Sequence, residues 1–410
     1  MRKSGGFYTG WKVAAGCAVV TGAGVGLFSN CIGVFVKPVC EALSFSRAAF
    51  SLCSTLTILV GAFTLPFYGE WFRKRSVKWT MLFCAAVCGA VPVGYSFSSQ
   101  LWQFYLLASV NGLTVSGITM LSVGTLINRW FEGKKGLALG LSYAGSGVVA
   151  SIMIPVTERV VAAFGWAWGY RLIGGVGLGL LIPSILFLVQ DGPKDGAEPK
   201  QKRAPKGGET QGMTRAEALR APVFWCVSAG LFLANLVNLG MFNHTIPYLT
   251  DLGLDPPLAS KVMAAAMIAM IGAKLAVGWM VDRFGILWGS AAMAGGLGLA
   301  AAALIAAAAF SPAVWAYAVM IGFGATVNGI FASYDTARYF GEREYPRIFA
   351  LLSMASSFGS AAGAPIAGAV FDRMETYLPA WWGAASLAAG ALLLLCGAEL
   401  RWGKRDEEKA

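Results

Sequence analysis

Charge and histidine are scarce in this sequence. Aspartate, glutamate, lysine and arginine make up 13% of the 410 residues, about half the share in soluble domains, and His244 is the sole histidine. The eight cysteines form no Cys-x-x-Cys pair, which argues against a zinc or redox motif. No His-Glu-x-x-His, Gly-x-Ser-x-Gly or phosphate-loop pattern occurs. We therefore expect no enzyme, no cofactor, no metal site and no nucleotide-driven pump.

Apolar residues are abundant and lie in long runs. They form 57% of the chain, and a membrane-spanning helix needs about 20 of them in succession. Most runs are rich in glycine and alanine, which favour close helix packing in lipid. The sequence therefore predicts an all-α membrane protein with twelve transmembrane helices, at approximately residues 13–36, 48–69, 79–98, 101–127, 136–157, 170–190, 222–249, 258–281, 286–309, 312–335, 347–371 and 380–400.

The distribution of basic residues predicts the orientation of these spans. Residues 191–220 are rich in proline, glycine and charge, and we interpret them as a flexible linker. The linker, both termini and the loops on the same side carry 25 basic residues, and the opposite side carries six. This bias places both termini and the linker in the cytoplasm. We expect a multi-pass protein of the cell (inner) membrane. The net charge of +11 thus reflects topology, and no nucleic-acid partner is expected.

The two sides of the linker carry matching residues in the same order. Pro38 and Pro247 end the first and seventh spans, and Pro155 and Pro365 lie late in the fifth and eleventh. Two further pairs agree, and all four are separated by 209 to 212 positions: Glu70 with Asp282, and Trp130-Phe131 with Tyr339-Phe340. The order predicts two six-helix bundles of parallel topology, residues 1–190 and 221–410, as in transporters with a central site.

One loop carries a recognisable motif. The residues from Gly278 to Gly285 follow the pattern G-x-x-x-D-R-x-G, which resembles the signature loop of the major facilitator superfamily. The first-half copy of this loop is degenerate, but its acid and basic positions survive, and Glu70 holds the acid position. The resemblance implies the major facilitator fold, with Glu70, Asp282 and Arg283 as a conformational latch at helix ends.

Three further segments resemble the monocarboxylate-transporter and oxalate–formate-antiporter branch of that superfamily. They are residues 33–48, 129–140 and 244–253. Related prokaryotic carriers of other solutes share some of these segments. The branch resemblance implies a secondary transporter that alternates between inward-open and outward-open forms. It also implies that the substrate is a small carboxylate.

Lys274 is the most informative single residue. It lies inside the eighth apolar run, where a charge costs at least about 2.5 kcal/mol and marks a substrate path. The branch has an arginine that binds carboxylate at this motif position, and lysine supplies a point charge without the bidentate fork. A lysine paired for structure is the alternative. Residues 348–371 of the eleventh span contain no second cation, which favours a monoanion over oxalate.

Two residues of the seventh span are candidates for proton coupling. His244 and Asp251 lie on one helical face with Tyr248, and histidine titrates near neutral pH. The alternatives are a hydrogen-bonded core histidine and a solvated loop acid. Lys274 itself is a third candidate.

Polar residues within other spans are candidates for lining the substrate cavity. Asn111 and Thr114 share a face of the fourth span with Ser122 and Thr125. Weaker candidates of the same kind are Asn30, Tyr143 and Asn328.

The sequence as a whole predicts a monomeric symporter of a proton and a small monocarboxylate such as lactate or pyruvate, embedded in the lipid bilayer. A carboxylate antiporter, a carrier of an uncharged or larger solute with Lys274 in a coupling role, and a transport-inactive sensor on the same scaffold are the alternatives. The linker has no recognisable signalling module, which argues against the sensor.

Overall fold

The computed structural model describes residues 9–131, 135–192, 212–327, 331–341 and 343–403. The described residues fold almost wholly into α-helices, and an isolated β-bridge joins Gly212 to Gly341. In chain order the helices are α1 Thr9–Thr21, α2 Gly33–Leu43, α3 Arg47–Lys74, α4 Val77–Tyr95, α5 Leu101–Val115, α6 Met120–Trp130, α7 Lys135–Phe164, α8 Trp166–Phe187, α9 Arg215–Arg220, α10 Pro222–Asp251, α11 Pro256–Phe284, α12 Ile286–Ala307, α13 Ala313–Gly324, α14 Phe331–Phe340, α15 Tyr345–Met374 and α16 Leu378–Trp402.

Ten helices among the described residues are long and apolar enough to cross a membrane, and Ala313–Val327 is a shorter apolar helix. The first of the ten, Thr9–Leu27, joins α1 to a π-helical turn, Gly22–Leu27. The predicted spans four and ten do not appear as single helices. Span four is interrupted between α5 and α6, and α13 of span ten passes into a 3₁₀ turn, Ala325–Val327, so that neither α5 nor α13 reaches the length of a span.

The two interruptions occur at equivalent places in the predicted repeat. Helix α5 ends at Val115 and α13 ends at Gly324, which are 209 positions apart. At the first break the chain packs tightly, because a Cβ atom on Gly117 would lie 2.7 Å from the Cys84 sulfur and 2.8 Å from the Tyr68 ring. Only glycine fits this approach.

The chain divides into two compact units. One comprises Met1–Pro38 and Val60–Lys206, and the other comprises Val39–Leu59 and Gly207–Ala410. Helix α3 therefore begins in the second unit and continues into the first. The predicted bundle limits, 1–190 and 221–410, differ from this division at residues 39–59, and they stay a prediction about the repeat.

Glycine brings paired helices together inside each unit. In the first unit, a Cβ atom on Gly145 of α7 would overlap the Ala18 carbonyl of α1. In the second, Cβ atoms on Gly359 and Gly363 of α15 would overlap the Phe232 and Leu236 carbonyls of α10. Without side chains at these points, the backbones approach closely, as small residues allow in membrane helices.

Contacts at the ends of α6 and α14 repeat with the same spacing. In the first unit the Trp130 indole N–H donates to the Gln190 carbonyl at 2.8 Å. In the second unit the Tyr339 hydroxyl donates to Glu399 Oε2 at 2.7 Å. Both members of each contact are offset by 209 positions, so the duplication inferred from sequence extends to side-chain contacts.

The described ends of the predicted linker are ordered, which differs from the flexible segment expected from its composition. Asp191 accepts hydrogen bonds from the Ser76 hydroxyl and from the Lys78 N–H at the start of α4. Helix α9 begins with a capping box between Thr214 and Glu217. The prolines that suggested flexibility lie within residues 193–211, outside the described part of the chain.

Candidate functional site

Lys274 lies in the second half of α11, on a mostly buried face. Its neighbours one turn away, Met270 and Val277, are 9% and 0% exposed, and Lys274 itself is half-buried. Among the described residues, Lys274 has neither an ion pair nor a hydrogen bond. The Lys274 ammonium group therefore has no counter-charge among the described side chains, and a charge buried in an apolar helix is costly without one.

The polar candidates of span four lie in the first unit, near the break between α5 and α6. Asn111 is 7% exposed and its carbonyl accepts from the Cys88 thiol at 3.1 Å. The Thr114 hydroxyl donates back to the carbonyls of Val110 and Asn111. The Ser122 hydroxyl donates to the Gly117 carbonyl in the break before α6, and the Thr125 hydroxyl donates to the Leu121 carbonyl of its own helix. These hydroxyl groups keep lone pairs for a ligand, but their protons are already used.

The remaining cavity candidates are separated along the chain. Asn30 lies in the turn after the π-helical segment, and Tyr143 lies on α7 among half-buried residues. Asn328 lies outside the described residues, directly after the Ala325–Val327 turn that interrupts span ten. Asn30 and Asn328 thus both lie next to irregular backbone in an apolar span.

Interrupted spans are themselves a signal that sequence periodicity missed. Breaks at corresponding positions of two repeats indicate where a transporter binds its substrate, because unwound backbone offers polar groups that a continuous helix uses internally. The break after α5 contains Ser116, whose hydroxyl donates to the Gly61 carbonyl at 3.0 Å. The π-helical turn of span one is a third irregularity, and such turns are frequent at functional sites.

His244 is fully buried in the second unit and has hydrogen-bonding neighbours on both ring nitrogens. Nε2 lies 2.9 Å from the Ala364 carbonyl, which can only accept, so Nε2 carries the proton in the neutral ring. Nδ1 then accepts from the Tyr377 hydroxyl at 2.8 Å. The Ser51 hydroxyl lies 3.2 Å from Nε2. The histidine is therefore a saturated member of a core network.

Asp251 belongs to the same network through an arginine that the sequence analysis placed in a loop. Arg47, 7% exposed, donates from Nη1 to Asp251 Oδ2 at 2.5 Å and from Nη2 to Oδ1 at 3.2 Å. Nη1 also donates to the Tyr377 hydroxyl at 2.9 Å. The guanidinium stacks 3.7 Å above the Phe371 ring. Asp251 is thus an ion-pair partner rather than a solvated loop acid.

A second acid fixes the start of α3 in this network. Asp372 accepts from the backbone N–H groups of Arg47 at 2.9 Å and Ala48 at 2.8 Å. These N–H groups have no partner inside their own helix, and a carboxylate at a helix N-terminus is electrostatically favoured. We name Arg47, Ser51, His244, Asp251, Asp372 and Tyr377 the arginine network.

The predicted latch residues lie at the ends of helices. Glu70 is in the last part of α3 and Asp282 is near the end of α11, but their side chains are outside the described part of the structure. Arg283 is exposed in the last turn of α11. Gly285 has a φ of 86°, which lets the chain turn directly from α11 into α12.

Two buried acids escaped the sequence analysis. Glu158 on α7 and Asp335 on α14 are 4% and 2% exposed, and each has one carboxylate oxygen without a hydrogen-bond partner among the described residues. Their positions coincide with the predicted ends of spans five and ten, where boundary uncertainty hid them. The rule that a charge inside a span marks function would have selected both. Within the described residues, no group of three or more His, Cys, Asp or Glu side chains is placed to hold a metal ion.

Similar proteins of known role are transporters. The oxalate:formate antiporter of Oxalobacter formigenes is 26% identical over 351 residues, covering 82% of this chain and 79% of that protein. Monocarboxylate transporter 13 of Rattus norvegicus is 24% identical, with coverage of 94% and 86%. Monocarboxylate transporter 11 of Homo sapiens is 25% identical over 67% of this chain, which spans just over half of that protein, 56%.

Solved structures show the same fold at low identity. The nucleoside transporter NupG superposes with a TM-score of 0.75 at 12% identity, covering 94% of this chain and 99% of that one. A bacterial homolog of the human lysosomal transporter Spinster gives 0.67 at 15% identity, with 96% and 94% coverage.

A family model settles the classification. The model described as Major Facilitator Superfamily matches residues 18–337, a range that includes the G-x-x-x-D-R-x-G loop. The relatives confirm the branch that residues 33–48, 129–140 and 244–253 resemble. The all-helical fold with many apolar helices is that of a multi-pass membrane transporter. The chain therefore belongs to the Major Facilitator Superfamily, and it is similar to the monocarboxylate-transporter and oxalate–formate-antiporter members of that superfamily.

Proposed function

We propose that this transporter carries a small monocarboxylate, such as lactate or pyruvate, together with a proton by alternating access. We further propose twelve spans, with spans four and ten each built from two helices, both termini and the linker in the cytoplasm, and a monomeric unit in the inner membrane. The interrupted spans support the count, because joining their pieces to the ten long helices gives twelve crossings.

The observation that carries the substrate proposal is Lys274. It is a half-buried cation in an apolar helix without an internal acid among the described residues. A carboxylate would supply the missing counter-charge and lower the free energy of the buried ammonium. The described part of α15 between Ile348 and Phe371 adds no second cation, so one negative charge is the better match.

Co-transport of a proton would offset the free-energy cost of moving an anion against the membrane potential. Moving one negative charge against a membrane potential of about 100 mV costs about 2.3 kcal/mol. A co-transported proton cancels that charge, so the potential no longer opposes uptake. His244 and Asp251 remain the proton-coupling candidates from sequence, although the arginine network already uses their hydrogen-bonding atoms.

Antiport of two carboxylates is the second candidate. It is favoured by the similarity to the oxalate:formate antiporter, which extends over 79% of that protein. The two candidates differ in what drives accumulation, since an antiporter needs internal carboxylate and a symporter needs a proton gradient.

The experiment is uptake of radiolabelled lactate, pyruvate, formate and oxalate into proteoliposomes containing the full chain, with and without an inward proton gradient. Lys274→Ala should abolish uptake, and Lys274→Arg should retain part of it, because the charge is kept while the geometry changes. Lys261→Ala is the matched control, because Lys261 is an exposed lysine near the start of the same helix.

The outcomes separate the candidates. Gradient-driven accumulation of lactate by the wild type, lost in Lys274→Ala and kept in Lys261→Ala, supports proton symport of a monocarboxylate. Uptake that requires carboxylate inside the vesicle and ignores the proton gradient supports antiport. Normal uptake by Lys274→Ala would contradict the assignment of the anion site.

A further inference from the structure

Asp335 is a buried acid of the second unit that has no counter-ion among the described residues. It lies on α14 and is 2% exposed. Its Oδ2 atom has no hydrogen-bond partner in the described part of the chain. An ionised carboxylate buried in this way carries a large desolvation penalty, and such a group takes up a proton instead. The protonated carboxylic acid is therefore the form that suits this location.

A second acid connects Asp335 with the helix end. Glu399 on α16 is 15% exposed at its side chain and accepts from Arg338 Nη2 at 3.2 Å. The Tyr339 hydroxyl donates to its other oxygen at 2.7 Å. Arg338 and Tyr339 follow Asp335 by three and four positions, so all three share one face of α14. Asp335 is the deepest member of this group, and Glu399 is its partly exposed acid.

The first repeat shows that the fold does not need an acid here. The position equivalent to Asp335, 209 residues earlier, is Leu126 on α6. Leu126 is 0% exposed. The contacts at the ends of α6 and α14 also match between the repeats, because Trp130 donates to Gln190 and Tyr339 donates to Glu399. An apolar side chain thus satisfies the packing in one repeat, and the other repeat places a titratable group in the same place.

The elements packed on α14 supply no basic partner for Asp335 among the described residues. Helix α12 contains no titratable side chain. Helix α10 approaches α14 through its first turns, where Phe224 contacts Phe340 and Cys226 follows. Its His244, Tyr248 and Asp251 lie near the opposite end of that helix.

The other charged groups near α14 are engaged elsewhere. On α15, Arg347 pairs with Glu344 at 2.7 Å, and Asp372 and Arg373 lie in the final turns. On α14 itself Arg338 pairs with Glu399. Lys274 makes no ion pair with Asp335. Among the described residues, the charged group that interacts electrostatically with Asp335 is thus another carboxylate, that of Glu399, and like charge disfavours ionisation of both.

We propose that Asp335 is the site that binds the co-transported proton. This deepens the proposed proton symport and rests on it. Proton release breaks the O–H bond of the Asp335 carboxylic acid and forms an O–H bond on water, which leaves an Asp335 carboxylate and a hydronium ion; uptake is the reverse. His244 and Asp251 would have to break existing hydrogen bonds to do the same, whereas Oδ2 of Asp335 has no hydrogen bond to break.

The test uses full-length protein in proteoliposomes with radiolabelled lactate and four variants. Asp335→Asn fixes the group as neutral, Asp335→Leu installs the residue of the first repeat, and Asp335→Glu restores an acid. Asp255→Asn removes an exposed acid before α11 and is the control. We expect Asp335→Asn and Asp335→Leu to lose gradient-driven accumulation, down to the level of protein-free vesicles. Both should keep lactate exchange at zero gradient, and Asp335→Glu should accumulate lactate again.

Infrared spectroscopy of the purified protein provides a readout that does not depend on transport. The carbonyl band of a buried protonated carboxylic acid should be present in the wild type, in Asp255→Asn and in Glu158→Gln, and absent in Asp335→Asn. If the wild type shows the band but exchanges lactate without response to a proton gradient, then proton symport fails while protonation of Asp335 stands.

Three results would overturn the proposal. One is accumulation at the wild-type level by Asp335→Asn. Another is loss of accumulation and of the infrared band in Glu158→Gln alone, which would place the proton at the other buried acid. The third is loss of zero-gradient exchange in correctly folded Asp335→Leu, which would make Asp335 part of the conformational change rather than of proton binding.

Discussion

Arg47 and Asp251 form a two-point ion pair, with N–O distances of 2.5 Å and 3.2 Å. The pair joins the first turn of α3 to the last turn of α10, and the side chains are 8% and 23% exposed. Few surface ion pairs contribute measurably to stability, but this bidentate pair differs because Arg47 is buried, so its guanidinium would be poorly solvated without Asp251.

The first prediction concerns this pair. Arg47→Ala should lower the free energy of unfolding by about 1–3 kcal/mol, because it removes the charged hydrogen-bond donor of the Asp251 carboxylate and the Tyr377 hydroxyl. The double variant Arg47→Met with Asp251→Leu should recover much of that loss. Thermal unfolding in detergent measures both. Additive effects of the two changes would show that the pair contributes little coupling.

The second prediction concerns the Gly359 contact between α10 and α15. Gly359→Val should destabilise the protein by about 1–3 kcal/mol or more, because the new side chain would overlap the Phe232 carbonyl. Gly272→Ala is the matched control, since nothing lies within 4 Å of its Cβ position. Equal melting temperatures for the two variants would contradict this account of the helix contact.

The third prediction concerns pH and the short helix α9. Glu344 accepts from the Arg215 N–H at 2.6 Å, and this hydrogen bond lowers the pKa of Glu344 below its ordinary value. A carboxyl with a lowered pKa stabilises the folded contact above its ordinary pKa of about 4.3 and loses that contribution as the pH falls. The protection factors of the α9 amides, which correct for the intrinsic pH dependence of hydrogen exchange, should therefore fall on acidification toward that range, and Glu344→Gln should show the lower protection already at neutral pH. Exchange in α9 that ignores both changes would show that Glu344 does not hold the helix.

The fourth prediction concerns Lys274 and stability. Lys274→Met should insert normally and melt at or above the wild-type temperature, because it removes a buried cation that has no acid partner among the described residues. Differential scanning fluorimetry in detergent gives the comparison, with Lys261→Met as control. A clear drop specific to Lys274→Met would reveal a structural ion pair and move the search for the anion site elsewhere.

The fifth prediction concerns orientation. A single cysteine placed in residues 193–211 of a cysteine-free variant should resist a membrane-impermeant thiol reagent in intact cells and react after lysis. A cysteine at Ser311, in the exposed segment between α12 and α13, should react in intact cells. The reverse pattern would invert the topology that the 25-to-6 distribution of basic residues predicts.

Sequence patterns were sufficient to predict the helical fold. The length of each apolar run follows from the thickness of the membrane, and the 209-residue spacing follows from the repetition of one bundle along the chain. They missed the breaks in spans four and ten, since hydropathy does not register whether a glycine such as Gly117 sits in helix or in a turn. They also missed Arg47 as a partner of Asp251. That pair joins residues 204 positions apart, and pairing over such distances has no local signature. Asp335 could have been found by comparing each repeat position with its counterpart, since Leu126 contrasts with it.

The division of helix α3 between the two compact units has a consequence for dividing the gene. A fragment that begins at Gly207 contains most of the second unit but lacks Val39–Leu59. It would carry Asp251 and Asp372 without Arg47, and His244 without Ser51. The unpaired carboxylates would have to be protonated or hydrated for the fragment to fold. A peptide corresponding to residues 39–59, supplied in trans, is therefore the complement that such a fragment needs.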